Sequence, residues 1–259
     1  MEEVLRKLAR GEISVEEAVK TLKLFTIEKI GEFARIDVGR ELRRGIPEII
    51  LAEGKSLEEL SEIVFRSVET TGRVIVSRLN GEIMNKLMEK ARRKGLNVKE
   101  YRKARMLVVR KAPGRRETGG RVGVITAGTA DIPVAEEASI VAEEMGCKVY
   151  KVYDVGVAGL HRVFDAVKTM VKADVDVIIV AAGREGALPS IIASLVDIPV
   201  IGVPTSQGYG FGGSGVAALQ SMLQSCPLGL TVVNIDAGVA AGAVAALIAN
   251  RASYRAGVK

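Results

Sequence analysis

From residue 121 onward the chain repeats one pattern five times: a run of β-branched residues, a glycine-bearing loop, then a helical stretch. The runs are RVGVITA, KVYKVYDV, VDVIIVAA, PVIGVP and LTVVNID. Continuous runs of this kind predict strands buried on both faces. Strand, helix, strand in repetition predicts right-handed βαβ units around a parallel sheet. Helices are expected over 134–145, 160–171, 190–195, 215–224 and 240–250; in the second, Leu160, Val163, Val167 and Val171 recur at helical spacing. The expected fold class is therefore α/β, with a three-layer αβα domain over 121–259. Aromatic residues make up only 4% and Trp is absent, so its core must come from Val, Ile, Leu and Ala.

Residues 1–111 read as a small α+β domain, and APGRRETGG (112–120) as a linker. The first 30 or so residues look helical. Val4, Leu5 and Leu8 share one face of a helix that Gly11 ends, and Ser14 opens a second helix that buries Ala18, Leu22 and Phe25. A short helix over 39–44 and a strand over 48–51 follow. Ser56 caps a helix closed by Gly72, residues 73–77 form a strand, and Asn80 starts a helix that Gly95 stops. Residues 101–109 are expected as one strand.

Charge is uneven. Residues 1–120 hold 27 Lys and Arg against 19 Asp and Glu, while residues 121–259 hold 10 against 12. A basic half attracts phosphorylated ligands or nucleic acid, but the cations are interleaved with Glu as on a solvated helical surface. No helix-turn-helix, zinc or RNA-recognition signature accompanies them, so nucleic acid is not the expected partner. No apolar run approaches the roughly 20 residues of a membrane span. The amphipathic start MEEVLRKLARGE is unlike a signal peptide, and the expected location is cytoplasmic. The two cysteines, Cys147 and Cys226, have no metal or disulfide spacing.

In parallel α/β sheets ligands sit beyond the carboxyl ends of the strands, so the loops there carry the candidates. Gly128 and Thr129 open the first, where a helix N-terminus can meet an anion, and Asp131 follows as a cap or a functional acid. The second holds His161, the sole histidine, beside Arg162. The third sets Glu185 between Arg184 and Gly186. The fourth, Ser206 to Ser214, is glycine-rich. Gly212 and Gly213 allow close approach to a ligand, and Tyr209 and Phe211 offer flat rings. It lacks the Gly-Lys-Ser/Thr ending of a Walker A loop. Cys226, beside Pro227 and near this loop in sequence, is the better nucleophile candidate of the two thiols.

The order Gly-Thr-Ala-Asp (128–131), His-Arg (161–162), Gly-Arg-Glu-Gly-Ala-Leu-Pro (183–189) and Pro-Val-Ile-Gly-Val-Pro (199–204) resembles the phosphoribosylaminoimidazole carboxylase and mutase family. Departures stand at Thr129, Ala130, Glu185 and Gly186, and in the added N-terminal half. A closer resemblance lies in residues 33–56, FARIDVGRELRRGIPEIILAEGKS, and 199–242, which are similar to the LarB family of pyridinium-3,5-biscarboxylic acid mononucleotide synthases. That resemblance implies a flavodoxin-like catalytic domain. The implied reaction is carboxylation of the pyridinium ring of nicotinic acid adenine dinucleotide by carbon dioxide or bicarbonate, followed by phosphoanhydride cleavage to release AMP. The product serves nickel-pincer cofactor synthesis. The resemblance also implies a homo-oligomer, an octamer in related families.

This chemistry needs a thiolate to make the electron-poor ring nucleophilic, and the Ser-Cys-Pro match assigns that role to Cys226. Glu185 or Asp131 is the candidate base for the ring proton. Arg162 and Arg184 suit phosphate or carboxylate oxygens, and a magnesium ion held by a carboxylate and the substrate phosphates is the expected cofactor, its ligands undetermined. The alternatives are an aminoimidazole ribonucleotide carboxylase or mutase, whose substrate carbon is already nucleophilic and needs no thiol, and a nucleotide- or nucleic-acid-binding module.

Overall fold

The computed structural model describes residues 2–22, 27–30, 34–37, 40–114, 117–255 and 257. The chain divides into two units, Met1–Gly114 and Arg115–Lys259.

The first unit opens with α1 (Glu2–Ala9) and α2 (Val15–Leu22), then an antiparallel pair, β1 (Ile27–Ile30) and β2 (Ala34–Asp37). Strands thus occupy 27–30, where the sequence suggested continued helix. Leu5 is exposed and Ala18 buried; Phe25 lies outside the described residues. After α3 (Arg40–Arg44) come β3 (Ile49–Leu51), α4 (Leu57–Thr71), β4 (Arg73–Ser77), α5 (Gly81–Arg93), β5 (Asn97–Tyr101) and β6 (Met106–Arg110). The sheet order is β3-β4-β6-β5, with β3 parallel to β4 and the other pairs antiparallel. Helix α4 starts at a complete capping box, Ser56 with Glu59, and ends at Gly72 in the left-handed region (φ 84°). The strand expected over 101–109 is two strands, split by a turn at 102–105 in which Arg105 takes φ 53°. No Gly, Asn or Pro marks that turn. Leu60, Val64 and Val68 of α4 and Leu87 and Ala91 of α5 pack on Val74, Val76, Leu107 and Val109 of the sheet.

The second unit runs β7 (Arg121–Thr126), α6 (Ile132–Glu144), β8 (Lys148–Val152), α7 (His161–Lys172), β9 (Val177–Ala182), α8 (Ala187–Leu195), β10 (Val200–Pro204), α9 (Val216–Leu223), β11 (Leu230–Val232) and α10 (Gly238–Arg255). All five strands are parallel in the order β8-β7-β9-β10-β11. In chain order this is 2-1-3-4-5, the flavodoxin-like arrangement. The three inner strands are buried almost throughout, as continuous apolar runs require, whereas the edge strands β8 and β11 are half-exposed. Helix α8 begins at Ala187 rather than Ser190, because Pro189 falls in the first turn, where its missing N–H has no intrahelical acceptor to lose.

Alternate residues of each strand face opposite layers. Ile178 and Val180 meet Val163 and Met170 of α7, Ile192 of α8 and Met222 of α9, while α6 and α10 pack on each other and on β7 and β9. The small-residue face of α10 serves that contact. A Cβ on Gly242 would stand 2.3 Å from the Ala138 carbonyl oxygen, and one on Gly238 2.3 Å from that of Val134. The glycine-alanine face of α10 therefore packs against α6 of the same chain.

Candidate functional site

Strand order reverses between β7 and β9, and the loops after these two strands open a cavity of about 410 Å³. Residues 127–131 after β7 and 182–188 after β9 form two walls, with Asp154 and 156–158 after β8 and Gln207 and Tyr209 after β10 completing the lining. A crevice at such a switch point is where open α/β sheets bind ligands.

Asp131 is the floor of this site. It is 4% exposed, and both carboxylate oxygens are engaged: the Gly128 N–H donates to Oδ2 at 2.8 Å and the Thr205 hydroxyl to Oδ1 at 2.5 Å. Its side chain turns back into its own loop and makes no cap on α6. Burial pushes the carboxyl above the usual carboxylate range, and the charge of Asp236 acts in the same direction; the two hydrogen bonds offset this only partly. Asp236 accepts the Ser206 N–H at 2.9 Å, fixing the start of the β10 loop. Gly183 gives this cluster its room. A Cβ there would lie 2.9 Å from the Thr205 oxygen and 3.3 Å from Asp131 Oδ1.

Charged groups surround the floor. The guanidinium of Arg184 lies 4.5 Å from the centre of the Tyr209 ring and donates to the Tyr209 hydroxyl, so the two exposed side chains form one flat, cationic wall. Glu185 is exposed beside them on the lining. Asp154 sits opposite. Arg162 reaches it through its carbonyl at 2.9 Å and its carboxylate at 3.3 Å, outside the lining itself. Gly186 is held at φ 65°, where a Cβ would strike Ala218.

The cavity thus gathers Gly128, Thr129, Asp131, Arg184, Glu185, Gly186 and Tyr209 from the sequence candidates. It does not gather the rest. His161 begins α7 on the exposed side, and Phe211 is fully exposed. Ser206, Gly212, Gly213 and Ser214 continue the β10 loop beyond the lining. Cys226 is exposed past the end of α9, also outside the lining, while Cys147 is buried with its thiol 3.1 Å from Asn250 Oδ1. Sequence reasoning passed over Gly183, Asp154, Thr205 and Gln207. A polar residue immediately after the last strand position, as Thr205 is, was the available signal.

Among the described residues no group of three or more His, Cys, Asp or Glu side chains converges. Asp131 has both oxygens committed to protein donors. The rim carboxylates Asp154 and Glu185 are the donors a magnesium ion would find, a set that suits an ion held mainly by waters and substrate phosphates.

A flavodoxin-like sheet with a buried acid and a cationic aromatic wall at its switch point defines a doubly wound α/β domain with its candidate site beyond the carboxyl ends of the strands. Residues 121–256 match the model of the AIR carboxylase family, and the chain belongs to that family. Residues 27–111 match a LarB/PurE-like N-terminal domain. An uncharacterised protein of Methanocaldococcus jannaschii is 43% identical over 252 residues, 96% of each chain. The N5-carboxyaminoimidazole ribonucleotide mutases of Thermotoga maritima and Pyrococcus horikoshii are 29% and 34% identical over 48% and 44% of this chain, covering 74% and 62% of their own lengths.

Proposed function

We propose that this protein carboxylates the pyridinium ring of nicotinic acid adenine dinucleotide and hydrolyses its phosphoanhydride, releasing AMP and pyridinium-3,5-biscarboxylic acid mononucleotide. The observation that carries this reading is the pairing, on one chain, of an AIR carboxylase domain with a LarB/PurE-like N-terminal domain. The family supplies carboxylase or mutase chemistry; the added domain distinguishes this chain from the mutases, which match only about half of it.

In this reading a thiolate, assigned to Cys226, adds to the pyridinium ring and neutralises it. The ring carbon made nucleophilic forms a bond to carbon dioxide. A base removes the proton from that carbon, and expulsion of the thiolate restores the aromatic cation. Asp131, with its raised affinity for a proton, and Glu185 are the bases on the cavity wall. The Arg184–Tyr209 wall suits a flat ring, a phosphate or a carboxylate. Magnesium, when bound, would neutralise phosphate charge during attack of water on the anhydride.

The relatives' names favour a second reading, rearrangement or carboxylation of an aminoimidazole ribonucleotide. Incubation with nicotinic acid adenine dinucleotide, bicarbonate and magnesium, followed by mass spectrometry, separates the two. AMP and a carboxylated mononucleotide, formed only with bicarbonate, are expected. Their absence from well-folded protein that turns over carboxyaminoimidazole ribonucleotide would select the second.

A further inference from the structure

A second cavity, of about 270 Å³, lies in the N-terminal unit and plays no part in the chemistry above. It opens at the carboxyl ends of the parallel strands β3 and β4, the end at which βαβ units take ligands. Its lining includes three cations, Lys55, Arg78 and Arg105, against one carboxylate, Glu53. Arg78 approaches Glu53 at 3.3 Å, which leaves two positive charges in excess. Arg105 is fixed by Nε donating to the Leu79 carbonyl at 2.8 Å and by Nη2 donating to that of Arg78 at 3.4 Å. Lys55 is half-buried, and among the described residues its ammonium makes no hydrogen bond and no ion pair within 4 Å. The Glu59 carboxylate, held by the Ser56 N–H, acts on this ammonium only at longer range, so a half-buried ammonium on a wall with more cations than carboxylates favours an anion.

The surrounding backbone favours the same sign. Helices α4 (15 residues) and α5 (13 residues) both begin at this hollow, capped by Ser56 and Asn80. Of the three acids in their first turns, Glu59 accepts the Ser56 N–H, Glu82 pairs with Lys86 at 2.6 Å, and Glu58 also acts on Lys86. Strand β3, then Gly54-Lys55-Ser56, then helix α4 is the closing half of a phosphate loop without its first glycine. Only four residues separate the strand from the cap, too few to wrap a polyphosphate. The volume is likewise below the ~300–1,000 Å³ of a site for a whole drug-sized ligand. We infer that the N-terminal unit carries a second binding site, built from Lys55, Arg78 and Arg105, for a phosphate monoester of sugar-phosphate size.

The test is calorimetric titration of the full chain with ribose 5-phosphate, using Lys55→Ala, Lys55→Glu and, in the other cavity, Arg184→Ala. Binding should persist in Arg184→Ala, weaken roughly tenfold in Lys55→Ala and vanish in Lys55→Glu. It should also weaken with added salt. Circular dichroism monitors folding, and Lys55→Ala serves if the charge reversal unfolds the unit. Absence of binding to the wild type overturns the site, as does unchanged affinity in the Lys55 variants. Retention of single-stranded RNA without binding of ribose 5-phosphate overturns it in favour of a nucleic-acid surface.

Discussion

The Thr205 hydroxyl and the Asp131 carboxylate, 74 residues apart in sequence, meet at 2.5 Å and tie the loop after β10 to the loop after β7. Both residues are buried. The contact joins two walls of the cavity and moderates the proton affinity that burial raises at Asp131.

Thr205→Val keeps the shape and removes the donor. The hydroxyl favours the ionised carboxylate, so its loss raises the Asp131 pKa further. If ionised Asp131 is the base, the acidic limb of the kcat–pH profile moves to higher pH. An acceptor left without its partner also costs about 1–3 kcal/mol, measurable by urea unfolding. A stability loss with an unmoved profile assigns Asp131 a structural role.

Asp131→Asn separates proton chemistry from folding. The folded carboxyl holds its proton more tightly than the unfolded one, so between the ordinary value and the raised value the native state binds more protons. Stability contributed by this group is therefore full below the ordinary carboxylate pKa and falls as pH rises through the raised one. The variant should flatten that part of the stability–pH curve. Turnover should drop far more than the fraction folded. Full activity per folded molecule would exclude Asp131 as a base.

Much of this was readable in the residues. Runs such as VIIVAA, β-branched and followed by a glycine-bearing loop, point to inner strands of a two-sided sheet, and the Ser56–Glu59 capping box marks the start of α4. The turn before β6 was hidden because Arg105 adopts φ 53° where Gly or Asn would have announced it. At the site, the first and third loops stood out because glycines and acids directly follow buried strands. Thr205 did not, since a threonine at a strand end looks like one more β-branched strand former. Its role depends on the spacing between β7 and β10, which only the strand order supplies. Closeness along the chain does not place a side chain: Phe211 lies within the glycine-rich loop and Cys226 follows it, and both stand outside the cavity lining.

Gly183→Ala tests the close approach at the floor. Gly183 does not need the left-handed region, so the substitution acts through space alone. The added methyl would stand 2.9 Å from the Thr205 oxygen and must push the Thr205–Asp131 pair apart. Overpacking of this kind costs about 1–3 kcal/mol. Turnover should fall with it, and a loss of activity exceeding that of Thr205→Val would show that the methyl also obstructs substrate. Wild-type activity and stability together would mean that the β10 loop yields freely.

The thiol gives the most decisive test, because its place in the single chain does not match its proposed task. Cys226 is exposed beyond the end of α9 and absent from the cavity lining. Cys226→Ser should therefore leave stability within about 0.5 kcal/mol, as for other surface changes. It should abolish carboxylation, because an alcohol is a far weaker nucleophile than a thiolate at neutral pH. Cys147→Ser removes a buried thiol from Asn250 and should cost stability while leaving chemistry intact. If the thiol of one copy serves the cavity of another, Asp131→Asn and Cys226→Ser proteins unfolded and refolded together should recover activity that neither has alone. Sites pairing an intact Asp131 with an intact Cys226 then form across the interface. No recovery, with both single variants inactive, would mean that Cys226 reaches the cavity of its own chain. A fully active Cys226→Ser protein would remove the covalent step altogether and leave activation of the ring to Asp131, Glu185 and Arg184.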